Sequence, residues 1–207
     1  MRSPAYNVDA VWEAYVADVE YLRGAHERAG DSAPGLAGAL SRAALVFLGT
    51  AFQAFVEALA DEAFLVFNSE MTGELGPRQE LFEAQMAEPG NMHWERVARL
   101  LRIAVGAERN GSWDPWSGVH AGGRADDAVH TELTVYWDKM RNPIMHADDR
   151  RNRIRPDAHT IGYWLDFFQD MVDHLGSSVL DRVRKFIGSE DVWCRHTGNG
   201  DGDEAAG

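Results

Sequence analysis

Apolar residues along this chain recur at intervals of three and four, as in helices with one buried stripe, and no stretch alternates as a half-buried strand would. The first stripe runs through Val8, Val11, Tyr15, Val19 and Leu22, widened by Trp12 and Val16, and predicts a helix over 8–29. Gly30-Asp31-Ser32-Ala33-Pro34-Gly35 punctuates its end. Residues 36–68 are the most hydrophobic segment, apolar nearly all round between Ala43 and Leu59, which predicts a helix in the middle of a bundle. Its small residues (Ala44, Gly49, Ala51, Ala54, Ala58) would let another helix approach closely. Gln53 and Glu57 lie four apart on one face of this apolar segment and need polar partners there.

Glycines and prolines at Gly73, Gly76, Pro77, Pro89 and Gly90 mark 69–90 as a loop with a short helix around 78–87. A stripe through Trp94, Val97, Leu100, Leu101 and Ala104 predicts a helix over 91–106. The glycine-rich stretch 107–125 reads as a long surface loop whose Trp113 and Trp116 fold back onto the domain. Val129, Leu133, Tyr136, Trp137 and Met140 predict a further helix over 126–146. Pro143 near its end disfavours helical geometry at Asn142, so a kink or break is expected there. The last helix, 157–187, starts at the cap residue Asp157 after Pro156 and carries Tyr163, Trp164, Phe167, Phe168, Met171, Val172 and Leu175 on its apolar face. These elements predict an all-α fold, an up-and-down bundle of four to five long helices. Residues 1–192 form one domain in this reading, and 193–207, acidic and glycine-rich, a disordered tail.

Composition changes this picture little: 207 residues, 45% hydrophobic and 26% charged, suit a globular domain with a core. No segment reads as a membrane span or a secretory leader, and the single Cys194 has no internal disulfide partner. A cytoplasmic protein is the expectation. Charge changes the picture more. A net charge of −13 disfavours broad, non-specific binding to nucleic acid. Yet from residue 139 to 155 six cations (Lys139, Arg141, Arg150, Arg151, Arg153, Arg155) face only Asp148 and Asp149, a local balance of +4. Such a strip suits a selective phosphate site, and equally a solvated loop with salt bridges to neighbouring acids.

Within that strip stands Arg141-Asn142-Pro143-Ile144-Met145-His146. A guanidinium can hold the added charge on a phosphate oxygen during transfer, and an imidazole can move a proton near neutral pH. A structural role is open beside the chemical one: Arg141 could pair with Asp138 one turn back, His146 could cap helix carbonyls, and Asn142-Pro143 could start a turn. His93, His120, His130, His159, His174 and His196 lack zinc-ligand spacing, so no metal or other cofactor is expected. Gly118–Gly123 lacks the lysine of a phosphate loop, and no nucleophile elbow occurs.

The string Arg141-x4-His146, with asparagine directly after the arginine, resembles the signature of HEPN-domain ribonucleases, an all-α family. The helix from Leu45 to Phe67 also looks like an early helix of those proteins, where an acidic residue often follows an aromatic one. Here Gln53 follows Phe52, and Glu57 comes one turn later, a departure from the family pattern. The resemblance implies a metal-independent endoribonuclease cleaving single-stranded RNA by 2′-hydroxyl attack, acting as a toxin or defence component. It implies a homodimer whose paired motifs form one site, and an antitoxin protein as a further partner. In that reading His146 transfers protons, Arg141 stabilises the phosphate and Asn142 orients the site. Lys139, Arg150, Arg151, Arg153 and Arg155 guide the RNA backbone, and Gln53 and Glu57 are accessory polar groups. The alternative is a HEPN-like helical module that binds a partner protein or nucleotide without catalysis.

Overall fold

The structure is a computed structural model and describes residues 4–69, 76–107, 113–125, 127–146 and 154–187. The tail 193–207 lies outside the described residues, as do Arg150, Arg151 and Arg153. The fold is all-α. Helix α1 (Pro4–Ala29) is followed by a 3₁₀ turn at Gly30–Ser32 and by α2 (Pro34–Ser69). Two shorter helices come next, α3 (Gly76–Met86) and α4 (Trp94–Ala104). Helix α5 (Asp127–Val135) runs on through a π-helical stretch, Tyr136–Arg141, into one α-helical turn, α6 (Asn142–Met145). Helix α7 (Ala158–Ile187) completes the set. The predicted stripes lie within these helices, and the long ones are α1, α2 and α7, of 26, 36 and 30 residues.

Helix α2 packs against α1, α7 and α4, as its all-round apolarity predicts. Leu45, Leu48, Phe52 and Val56 are wholly shielded from solvent, and Phe52 meets Phe168 of α7 with ring centres 4.9 Å apart. Trp12 of α1 donates its indole N–H to Gln169 Oε1 of α7 at 2.6 Å, closing the third side of this packing. Against expectation, Pro34–Asn68 is long and apolar enough to cross a membrane by length and composition, with a mean hydropathy of 1.7 in its most apolar stretch. The cause is the gap between Arg42 and Glu57, which leaves the helix centre uncharged. In this fold 56% of that stretch is buried against other helices, the environment of a core helix. Its surface is not fully covered, however: Leu36, Phe47 and Leu65 are 56%, 41% and 63% exposed.

The glycine-rich loop holds a feature the apolar pattern did not signal, a hairpin of two-residue strands, β1 (His120–Ala121) and β2 (Arg124–Ala125), paired antiparallel. Gly122 and Gly123 turn it with φ of +57° and +73°, values that side chains disfavour and that a tight two-residue turn requires. Trp116 folds back as predicted: it is buried and donates its indole N–H to the Trp94 carbonyl at 2.9 Å. Asp157 caps α7, its Oδ1 accepting from the Thr160 amide and hydroxyl at 2.7 Å each.

The break expected before Pro143 does not occur. Asn142 stays helical at φ −64° and ψ −44°. The chain adapts upstream instead, winding Tyr136–Arg141 one residue wider per turn, so that the Asn142 amide reaches back five residues to the Trp137 carbonyl. A wider turn lets proline, which lacks a donor and crowds the carbonyl four residues back, sit in a continuing helix.

Candidate functional site

The π-helical stretch positions the motif. Its inner side is anchored by two large buried side chains. Tyr136 donates its hydroxyl to the Leu45 carbonyl of α2, and burial pushes its phenol well above the ordinary tyrosine range, so it serves as a fixed donor and not as an acid. Trp137 donates its indole N–H to the Met92 carbonyl at 3.1 Å, tying the stretch to the loop between α3 and α4. Both rings press on Gly49 of α2, where an added Cβ would meet the Tyr136 hydroxyl at 2.9 Å and the Trp137 ring at 3.0 Å. Glycine at that position permits the close approach.

Four residues on from Trp137, the Arg141 guanidinium lies over the Trp137 ring, 5.5 Å from its centre. Its Nη1 donates to Asn91 Oδ1 at 2.9 Å and more weakly to Asn142 Oδ1 at 3.4 Å. Asn91 completes the triangle by donating its Nδ2 to Asn142 Oδ1 at 2.9 Å. Among the described residues Arg141 forms no ion pair; Asp138, its expected structural partner, is exposed and does not hold it. The guanidinium is thus held by neutral amide oxygens and an aromatic face, its charge uncompensated by any described carboxylate. Its Nε is buried and has no hydrogen-bond partner among the described residues.

His146 closes the single turn of α6, its amide donating to the Asn142 carbonyl at 2.9 Å. Its side chain is exposed and makes no hydrogen bond to a described residue, so it does not cap helix carbonyls. Beside it Met145 is 48% exposed, and Ile144 lines a shallow groove of about 350 Å³ with Ala39, Arg42, Ala43, Val46 and Phe47 of α2.

The remaining expected site residues are scattered. Lys139 is exposed on the π-helical stretch. Arg155 is also exposed, and lines a separate cavity with His26 and Arg42. Gln53 donates to Glu57 at 2.9 Å, which gives each the partner it needed, and neither is hydrogen-bonded to Arg141, Asn142 or His146. Among the described residues no three of His, Cys, Asp and Glu lie close enough together to hold a metal ion.

Two residues of the neighbourhood carried no signal in the sequence. Asn91 sits 50 positions from Arg141, where the apolar stripe predicts the start of the 91–106 helix; that helix begins instead at Trp94, which leaves Asn91 in the preceding loop. His93 is half-buried at the start of α4, its ring centre 6.2 Å from that of Trp137. Both arrive through the loop that Trp137 anchors at Met92.

Compared with protein-family models, with curated proteins and with solved structures, the chain has no match.

Proposed function

We propose that the protein is a HEPN-type, metal-independent endoribonuclease that cleaves single-stranded RNA as a homodimer. The observation that carries this reading is the Arg141 guanidinium, fixed by Asn91 and Asn142 and unpaired with any described carboxylate. A permanent cation held by neutral groups keeps its charge for an incoming anion, whereas an ion-paired one would have spent it. His146, exposed at the neighbouring turn, is reachable by a large substrate and by a second subunit.

In the proposed reaction the RNA 2′-oxygen attacks the adjacent phosphorus while its proton passes to one His146 imidazole. The bond from phosphorus to the 5′-oxygen breaks, and the second subunit's protonated His146 delivers a proton to that oxygen. The products are a 2′,3′-cyclic phosphate and a 5′-hydroxyl. Arg141 stabilises charge on the non-bridging oxygens as phosphorus becomes five-coordinate, and Asn142 orients the guanidinium. Exposed Phe47, in the groove that Ile144 also lines, and exposed Met145, which precedes His146 in the chain, supply apolar surface that a second copy would cover. A toxin or defence role restrained by an antitoxin protein belongs to the same proposal.

The test is digestion of single-stranded RNA in the presence of a chelator. Wild-type protein is expected to yield cyclic-phosphate ends, and His146→Ala to lose about 100-fold or more in rate with an unchanged circular dichroism spectrum. Equal cleavage by the variant would remove the mechanism.

One observation favours a second reading, a helical interaction module without catalysis. The His146 ring has no described hydrogen-bond partner to set its tautomer or orientation, and exposed apolar side chains adjoin it. That reading predicts dimer or partner binding with no cleavage by wild type.

A further inference from the structure

A second cavity, of about 650 Å³, is bounded by the turn from α1 to α2 and by the segment leading into α7. It is lined by His26, Gly35, Arg42 and Arg155, with Asp31 and Asp157 also on its wall. We propose that this cavity binds a phosphate group through Arg42, Arg155 and His26.

Each cation is available. Neither Arg42 nor Arg155 is ion-paired with a carboxylate among the described residues. Gly38 leaves the Arg42 guanidinium room, since a Cβ there would stand 3.3 Å from its Nη1. His26 is oriented from behind: its Nδ1 lies 2.9 Å from the Ala37 carbonyl and 2.6 Å from the hydroxyl of fully buried Ser41. The Ser41 hydroxyl in turn donates to the Ala37 carbonyl at 3.1 Å. A ring held on its Nδ1 side in this way leaves Nε2 as the nitrogen for a ligand.

The two carboxylates do not cancel this. Asp157 Oδ1 is committed to the first turn of α7 through Thr160, where the helix N-terminus offsets its charge. Asp31 is exposed in the 3₁₀ turn, where solvent screens it. The Gly35 amide, in the first turn of α2, has no acceptor among the described residues and is a further donor on the same wall. Two guanidinium groups, an oriented imidazole and a free amide fit a phosphate better than a carboxylate, which has fewer oxygens to receive them. Arg42 lines both this cavity and the groove that contains Ile144 of the motif. A phosphate bound here belongs either to a neighbouring residue of an RNA chain or to a small phosphate monoester.

The experiment follows the ring nitrogen resonances of ¹⁵N-histidine-labelled full-length protein as inorganic phosphate replaces chloride at constant ionic strength. The expected result is a saturable shift of His26, weakened about tenfold or more in affinity by Arg42→Gln or by Arg155→Gln. Arg184→Gln, an exposed cation at the opposite end of α7, should leave it unchanged. A non-cleavable 2′-O-methyl RNA oligonucleotide that shifts His26 and displaces phosphate assigns the site to an RNA backbone. Phosphate binding without oligonucleotide binding assigns it to a small phosphate monoester. No saturable shift in wild type, or wild-type affinity in both arginine variants, overturns the proposal. His146→Ala should bind phosphate like wild type, so loss of cleavage and loss of this site are separable.

Discussion

Asn91 decides how Arg141 is presented. It is the shared partner in a triangle of three side chains, accepting from the guanidinium and donating to Asn142. Asn91→Ala should destabilise the protein by about 1 kcal/mol, since two half-buried polar groups lose a partner that water only partly replaces. If Arg141 acts on phosphate, the same change should lower RNA cleavage about tenfold or more, because the cation is no longer aimed. Asn91→Asp separates the two effects. It supplies a charged acceptor to Arg141 but loses the donor to Asn142, so urea denaturation should find stability between those of Asn91→Ala and wild type, while cleavage falls because the carboxylate neutralises the guanidinium. Cleavage retained in Asn91→Asp would argue that the charge of Arg141 is not used. At this scale the sequence showed the arginine, its neighbouring asparagine and the histidine, because they are contiguous. It concealed Asn91, because nothing local links an asparagine at the start of a predicted helix to an arginine 50 residues later.

Periodicity carried the helices well. Apolar spacing outlines α1, α2, α4 and α7 because each buries one stripe or, for α2, nearly its whole circumference. The π-helical stretch was illegible: a proline before a turn is read as a stop, and whether a helix ends or widens depends on what its flank packs against. Here Tyr136 and Trp137 are pinned to α2 and to the loop before α4, so widening keeps both anchors. Gly49 is the counterpart of those anchors. In a free helix Gly49→Ala would gain about 1 kcal/mol of helix propensity. In this fold the new methyl meets a buried hydroxyl at 2.9 Å and an indole at 3.0 Å, and overpacking of this kind costs about 1–3 kcal/mol. The crowding is expected to win, because both rings are hydrogen-bonded in place and cannot rotate away. A lowered thermal midpoint for Gly49→Ala checks this; a raised midpoint would mean the π-helical stretch yields readily.

Over the whole molecule, acidity sets the pH dependence. A net charge of −13 disfavours the compact state through self-repulsion. One focus is the groove of about 340 Å³ between α1, α2 and α7, where Asp9 and Asp173 share the wall with Phe55, Leu59 and Leu180. Although much of Asp9 is solvent-exposed, partial burial of its carboxyl, then Glu13 and Asp173, raises its pKa above the ordinary aspartate value. A carboxyl whose folded pKa is raised binds its proton more tightly when folded, so its contribution to stability is lost as pH rises through the carboxylate range. Asp9→Asn should therefore melt at a higher temperature than wild type at pH 7. The gap should close as pH falls toward and below the ordinary value of 3.8, and shrink in high salt. A gap that is constant with pH would point to packing instead.

The bond between Asn91 and Arg141 also has a consequence in time. A ribosome making this chain delivers Asn91 50 residues ahead of Arg141, and delivers α7 later still. Tyr136 rests on Trp164 and Phe168 of α7, so the backing of the motif arrives after the motif itself. A nascent chain stopped between them holds every side chain of the triangle and its earlier anchors, the Leu45 and Met92 carbonyls, but lacks the α7 rings that Tyr136 rests on. The packing behind the triangle is complete only once α7 has been made.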